Sequence, residues 1–90
     1  METLHIYAQD CWHDEAWIAG NRDGLVKLRN AIDKAIVDGN GSSKRVFTND
    51  SEAYQVKVIK LTDEQLGKLY LPYTDKDISE GSGTEWPWTF

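Results

Sequence analysis

One stretch of this chain leaves little freedom in how it folds. Between Gly20-Asn21 and the run Asp38-Gly39-Asn40-Gly41-Ser42-Ser43, the residues Leu25, Leu28, Ile32, Ala35 and Ile36 recur at helical spacing. Apolar residues three and four apart share one stripe of an α-helix, and Lys27, Arg29, Asn30, Asp33 and Lys34 fall elsewhere. The spacing predicts a helix from Arg22 to about Val37. Asn21 suits its N-cap because the side-chain oxygen can accept an otherwise unpaired backbone N–H. Gly39 suits the left-handed position just past its end. Asp23 with Lys27 and Arg29 with Asp33 are opposite charges one turn apart, each pair worth only a few tenths of a kcal/mol, so the stripe and not the pairs must hold this helix down. With 90 residues in all, the chain has room for one small core built around it.

The flanking segments read as strands. Leu4, Ile6 and Ala8 alternate with His5, Tyr7 and Gln9, the period of a half-buried strand over residues 3 to 9, and Glu15 to Ala19 can pair with it as a hairpin. After the helix, residues 38 to 43 read as a loop. Lys44 to Thr48 and Tyr54 to Leu61 form a second hairpin joined by Asn49-Asp50-Ser51-Glu52, with Tyr54, Val56 and Val58 on one face and Ile59 and Leu61 on the other. Thr62-Asp63-Glu64-Gln65 matches a capping box and predicts a short helix to about Lys68 with Leu66 and Leu69 turned inward. The expected plan is a small two-layer α+β domain over residues 1–73. An antiparallel sheet in the order β-β-α-β-β carries the main helix on one face, and the short second helix follows. Residues 74–90 then form an acidic linker, with Gly81-Ser82-Gly83 as a joint, and an aromatic tail, Trp86-Pro87-Trp88-Thr89-Phe90.

Composition excludes several classes. At 40% hydrophobic and 28% charged residues the chain reads as an ordinary globular domain. No apolar run approaches the ~20 residues needed to cross a bilayer, and the start lacks the pattern of a signal peptide, which implies a cytoplasmic protein with no membrane role. A single Cys11 cannot form an internal disulfide and fits a reducing compartment. The net charge is −5, unevenly placed: residues 1–61 carry nine acids and eight Lys or Arg, whereas residues 62–90 carry six acids and two Lys. Without a block of Lys or Arg to release counterions, a nucleic-acid duplex is a poor partner and a basic protein a good one.

The densest chemistry is Asp10-Cys11-Trp12-His13-Asp14-Glu15-Ala16-Trp17. Cys, His, Asp and Glu are all competent metal ligands, yet adjacent ligands rarely converge and no second ligand element follows, so no metal or cofactor is expected. Cys11, His13 and Asp14 nominally supply a nucleophile, base and orienter, but no Gly-rich oxyanion loop accompanies them, and no catalytic residue is assigned. Asp14 and Glu15 point to opposite faces if extended, which is unsuited to shared acid–base work. The helix start at Asn21-Arg22 could hold a small anionic ligand, although capping alone explains it. The aromatics weigh more. Trp12, Trp17, Trp86 and Trp88, with Tyr7, Tyr70, Tyr73 and Phe90, exceed what one small core absorbs. Either the tail packs back over an open sheet face, or it exchanges between copies as a homo-oligomer.

The stretch from Glu15 through Trp17, Gly20-Asn21-Arg22-Asp23-Gly24-Leu25 and on to Ile36 resembles the strand, Asn-x-x-Gly-Leu turn and helix of small immunity proteins from bacterial polymorphic-toxin systems. Similar short proteins occur among uncharacterised phage and prophage products. The resemblance implies a compact α/β fold and a non-enzymatic inhibitor. The expected function is therefore a small binding protein that neutralises a protein partner, immunity-like or phage counter-defence, contacting it through Trp12, His13, Asp14, Trp17, Asn21, Arg22, Trp86, Trp88 and Phe90. The alternative is sequestration of a nucleotide-like ligand stacked on Trp12 or Trp17, its phosphate held at Arg22 and the helix start. An enzyme using Cys11 and His13 is a third class.

Overall fold

The computed structural model describes residues 1–90. In chain order its elements are β1 (Leu4–Tyr7), β2 (Trp17–Gly20), α1 (Arg22–Asp38), β3 (Asn40–Ser42), β4 (Val46–Phe47), β5 (Ala53–Tyr54), β6 (Lys57–Ile59), α2 (Asp63–Leu66), α3 (Lys76–Ser79) and a 3₁₀ turn at Pro87–Thr89. The fold is small and α+β, one long helix with short strands. Contacts divide it into two compact units, each drawn from two pieces of chain: Met1–Ile6 with Ile18–Lys60, and Tyr7–Trp17 with Leu61–Phe90. Residues 61–73 and 74–90 thus belong to one unit.

In the first unit, α1 begins and ends where its caps dictate. The Asn21 side chain accepts from Gly24 N at 2.9 Å and from Thr3 N at 3.1 Å, and its Nδ2 donates to Met1 O at 2.6 Å. The cap therefore also ties down the segment leading into β1. At the other end Gly39 adopts φ 96° and its N–H donates to Ala35 O at 2.9 Å. The Lys60 ammonium donates to Ile36 O at 2.8 Å, placing a cation at the negative end of the helix.

The face α1 buries differs from the expected stripe. Gly24, Leu28, Ala31 and Ala35 are buried, whereas Leu25, Ile32 and Ile36 are exposed. Main-chain approach is the reason. A Cβ on Gly24 would lie 2.0 Å from Thr3 O, and one on Gly41 of β3 would lie 2.2 Å from Ala31 O. Where backbones lie this close only the smallest side chains fit, so glycine and the alanines turn inward with Leu28 the one large aliphatic among them, and Leu25, Ile32 and Ile36 are left at the flank.

The strands form three two-stranded ladders, β1–β2, β3–β6 and β4–β5, in place of one continuous antiparallel sheet. Asn40, Gly41 and Ser42 pair antiparallel with Ile59, Val58 and Lys57, so part of the expected loop is strand. Val46 and Phe47 pair with Tyr54 and Ala53. Between the two ladders Lys44 and Arg45 stand against Gln55 alone, and this β-bulge puts Lys44 at φ 58°. Buried Ser43 closes the bulge: its N–H donates to Val56 O at 2.9 Å and its Oγ accepts from Val56 N at 2.8 Å. A parallel bridge between Thr3 and Phe47 joins the N-terminal segment to β4. The core gathers there, with Leu4 and Val46 fully buried beside Leu28, and Tyr54 and Val56 packed on them. The Tyr54 hydroxyl donates to Leu4 O, and burial pushes its pKa up.

In the second unit the capping box is present, with Thr62 Oγ1 accepting from Gln65 N at 3.2 Å and Gln65 Oε1 accepting from Thr62 N at 2.9 Å. The helix it starts is a single turn, so Leu66 is exposed and only Leu69 is half-buried, correcting the expected pair. The acidic stretch is ordered into α3, capped by Asp75, whose Oδ1 accepts from Asp77 N at 3.0 Å.

Candidate binding surface

The opening loop of the second unit uses its polar groups on itself and leaves its indoles out. Asp10 holds residues 74 and 75: its Oδ1 accepts from Thr74 Oγ1 at 2.6 Å and its carbonyl from Asp75 N at 3.0 Å. Asp14 Oδ2 accepts from Cys11 N at 3.2 Å and from the Cys11 thiol at 3.6 Å. His13 completes the turn at φ 68°, a left-handed backbone that His adopts more readily than bulky residues do. Trp12 and Trp17 are both exposed.

Desolvation, and then the carboxylates of Asp14, Asp10 and Asp75, push the Cys11 thiol pKa up. A thiol held in its neutral form is a poor nucleophile at neutral pH. No group of three or more His, Cys, Asp or Glu is gathered so as to hold a metal ion.

The aromatic tail builds a stack of rings in this unit. Residues 83–85 run alongside residues 68–70 through a parallel bridge: Thr84 N and Glu85 N donate to Lys68 O at 2.8 and 3.0 Å, and Tyr70 N donates to Glu85 O at 3.0 Å. Gly83 permits this, since a Cβ there would meet Leu69 O at 2.4 Å and Tyr70 N at 2.5 Å. Trp86 then stacks on Tyr70 with ring centroids 4.4 Å apart and planes 24° apart, and Trp88 stacks on Trp86 at 5.2 Å and 3°. The turn opened by Pro87 sets the spacing of the two indoles, and Thr89 Oγ1 secures it by donating to Trp86 O at 2.7 Å and lying 2.9 Å from Glu85 Oε2. Trp86 is sandwiched between two rings while its edges remain exposed. Trp88, 75% exposed, presents its outer face to solvent, and Phe90 is exposed beside it in sequence.

Charge follows the same division. The second unit holds nine acids and two lysines, a net −7, while the first holds six acids and eight Lys or Arg, a net +2. The acidic character anticipated for residues 62–90 is thus sharpened, because Asp10, Asp14 and Glu15 join it.

Of the nine expected contact residues, Trp12, His13, Asp14, Trp17, Trp86, Trp88 and Phe90 fall in the second unit, and Asn21 and Arg22 in the first. Asn21 is engaged by the cap and the N-terminal segment. Arg22 projects into solvent, its guanidinium 4.0 Å from the Asp23 carboxylate. Tyr70, the base of the stack, and Glu85, which positions Thr89, were not among the expected residues. Tyr70 belonged to the surplus of aromatics, the one signal that could have found it. The bulge adds a shallow depression of about 390 Å³ lined by Lys44, Arg45, Ala53, Tyr54 and Gln55. Comparison with family models, with curated proteins and with solved structures finds no match to this chain.

Proposed function

We propose that this chain is a non-enzymatic binding protein that neutralises a basic protein partner through its second unit, in the manner of an immunity or phage counter-defence inhibitor. The observation that carries this reading is the open Tyr70–Trp86–Trp88 stack within a unit of net charge −7. A strong single-sign field steers an oppositely charged partner and raises its association rate. A rigid indole then supplies short-range affinity at little entropic cost, and its face attracts Lys or Arg through cation–π contact. The neutral Cys11 thiol is consistent with a surface made for contact and not for nucleophilic chemistry.

The test is capture from a lysate of the native host at ~0.15 M and ~0.5 M salt, with wild-type and Trp88→Ala chains as bait. Wild type should retain one stoichiometric basic protein, less of it at the higher salt. Trp88→Ala should weaken its binding by about 2 kcal/mol, roughly 30-fold. Absence of a stoichiometric protein at either salt sinks the proposal. A small molecule that stays bound in native mass spectrometry and is lost on Trp12→Ala replaces it with sequestration of a nucleotide-like ligand.

A further inference from the structure

The first unit carries an apolar surface that its own core does not use. Leu25 is 42% exposed, Ile32 40% and Ile36 61%. At ~100° per residue these three lie within about 40° of arc on α1, a seam running along most of the helix. The buried residues Gly24, Leu28, Ala31 and Ala35 border the seam on one side. Arg29 and Asp33, one turn apart, border it on the other. The ion pairs of the chain engage Arg22, Lys27 and Lys34, and neither Arg29 nor Asp33.

We infer that this seam is the contact of a two-fold homodimer, in which α1 packs antiparallel against α1 of a second copy. The charge pattern selects that occupant. In an antiparallel pair related by a two-fold axis, residues flanking the seam on one side meet the same flank of the other helix. With the axis opposite residue 31, Arg29 meets Asp33 of the second copy and Asp33 meets its Arg29, so the flank is complementary to itself. The same axis, to within half a residue, sets Leu25 over Ile36 of the second copy, and the two Ile32 side chains lie one residue to either side of it near the centre. Self-association is also directed to this unit by net charge, because two second units at −7 repel each other whereas two first units at +2 hardly do. The inference is independent of the proposed function, which concerns the other unit.

A seam one helix wide lies at the small end of specific interfaces, which sets the expected dissociation constant in the micromolar range, on the order of 10 µM. The experiment is sedimentation equilibrium of the full chain from ~1 to ~300 µM in low salt, with far-ultraviolet circular dichroism to show that each variant is folded. Wild type should pass from 10.3 kDa to twice that mass. Ile36→Glu, at the most exposed of the three positions, should abolish the dimer. Arg29→Asp and Asp33→Arg should each weaken it about 10-fold by setting like charges together, and the double exchange should restore it to within about 3-fold of wild type. A chain that stays monomeric at ~300 µM overturns the inference. So does a dimer indifferent to Ile36→Glu, which then uses another surface, or one that the double exchange fails to restore.

Discussion

Replacing Gly24 by Ala sets two effects of opposite sign against each other. By helix propensity alone, an alanine within α1 is worth about 1 kcal/mol over glycine. The added methyl, however, would lie 2.0 Å from Thr3 O and 2.7 Å from Thr3 C. Real Cβ atoms essentially never come within 3.0 Å of such a neighbour, so Thr3 must withdraw from 2.0 Å to at least 3.0 Å, a displacement of about 1 Å. The obstacle is main chain, and no side-chain rotation relieves it. Thr3 is bonded twice to Asn21, through Thr3 N to Oδ1 and through Asn21 N to Thr3 O, both at 3.1 Å. Losing both costs about 1–3 kcal/mol. Fully buried Leu4 moves with Thr3, and forced repacking of a filled core costs about 1–3 kcal/mol more. Set against the propensity gain, the net destabilisation falls at about 1–5 kcal/mol with its middle near 3, and ~3 kcal/mol lowers Tm by roughly 10–25 °C in a domain of this size. Thermal unfolding followed by circular dichroism at 222 nm reads this directly, because α1 supplies most of the helical signal. A Tm that is unchanged or raised by Gly24→Ala would refute the close-packing argument and leave propensity as the governing term.

Two further outcomes follow from titrating groups in loops. Because burial and neighbouring carboxylates raise the Cys11 pKa, the midpoint of thiol alkylation against pH should lie higher in the folded chain than in urea, and Asp14→Asn should bring it down; equal midpoints in the folded and unfolded chains would count against the Asp14 contact. The Asp50 carboxyl is held below its ordinary value by the Thr48 hydroxyl and then by the Glu52 N–H. A lowered folded-state pKa contributes stability above the unfolded value, near pH 4, and loses it as pH falls through the folded one. Thr48→Val should therefore lower Tm at pH 7, with the gap to wild type closing as pH falls below about 4; a gap that stays constant as the pH falls would remove the Asp50 bond as its cause.

The elements that sequence reading located are those whose boundaries are written in local chemistry. Asn21 and Gly39 fix α1 because one side chain caps it and one backbone turns left-handed after it, and Thr62 with Gln65 fixes α2 in the same way. What was not legible depends on approach between distant main chains. Asn40-Gly41-Ser42 has loop composition and becomes β3 because Gly41 can lie against Ala31 O. That approach also confines burial to one edge of the helical stripe, keeping Leu28 and Ala35 and leaving out Leu25, Ile32 and Ile36, since periodicity locates an apolar sector but not the part of it that a neighbour can reach. The candidate surface divides similarly. Trp88 and Phe90 were evident as surplus aromatics, whereas the pairing of Tyr70 with Trp86 depends on Gly83 allowing two backbone segments to run together, a contact with no period or motif to announce it.

The interleaving of the two units has a consequence for the order in which they form. The second unit joins residues 7–17 to residues 61–90, so assembling it from an unfolded chain means closing a loop over residues 18–60. For a flexible segment of that length the entropic cost is on the order of 3 kcal/mol. The first unit is made of that same segment together with the residues before Tyr7, and once folded it holds the span from Ile18 to Lys60 fixed in place of a flexible chain. Loop entropy thus favours forming the acidic aromatic surface after the helix and its core. A lesion as remote as Gly24 reaches Trp88 through chain connectivity, with no contact needed between them.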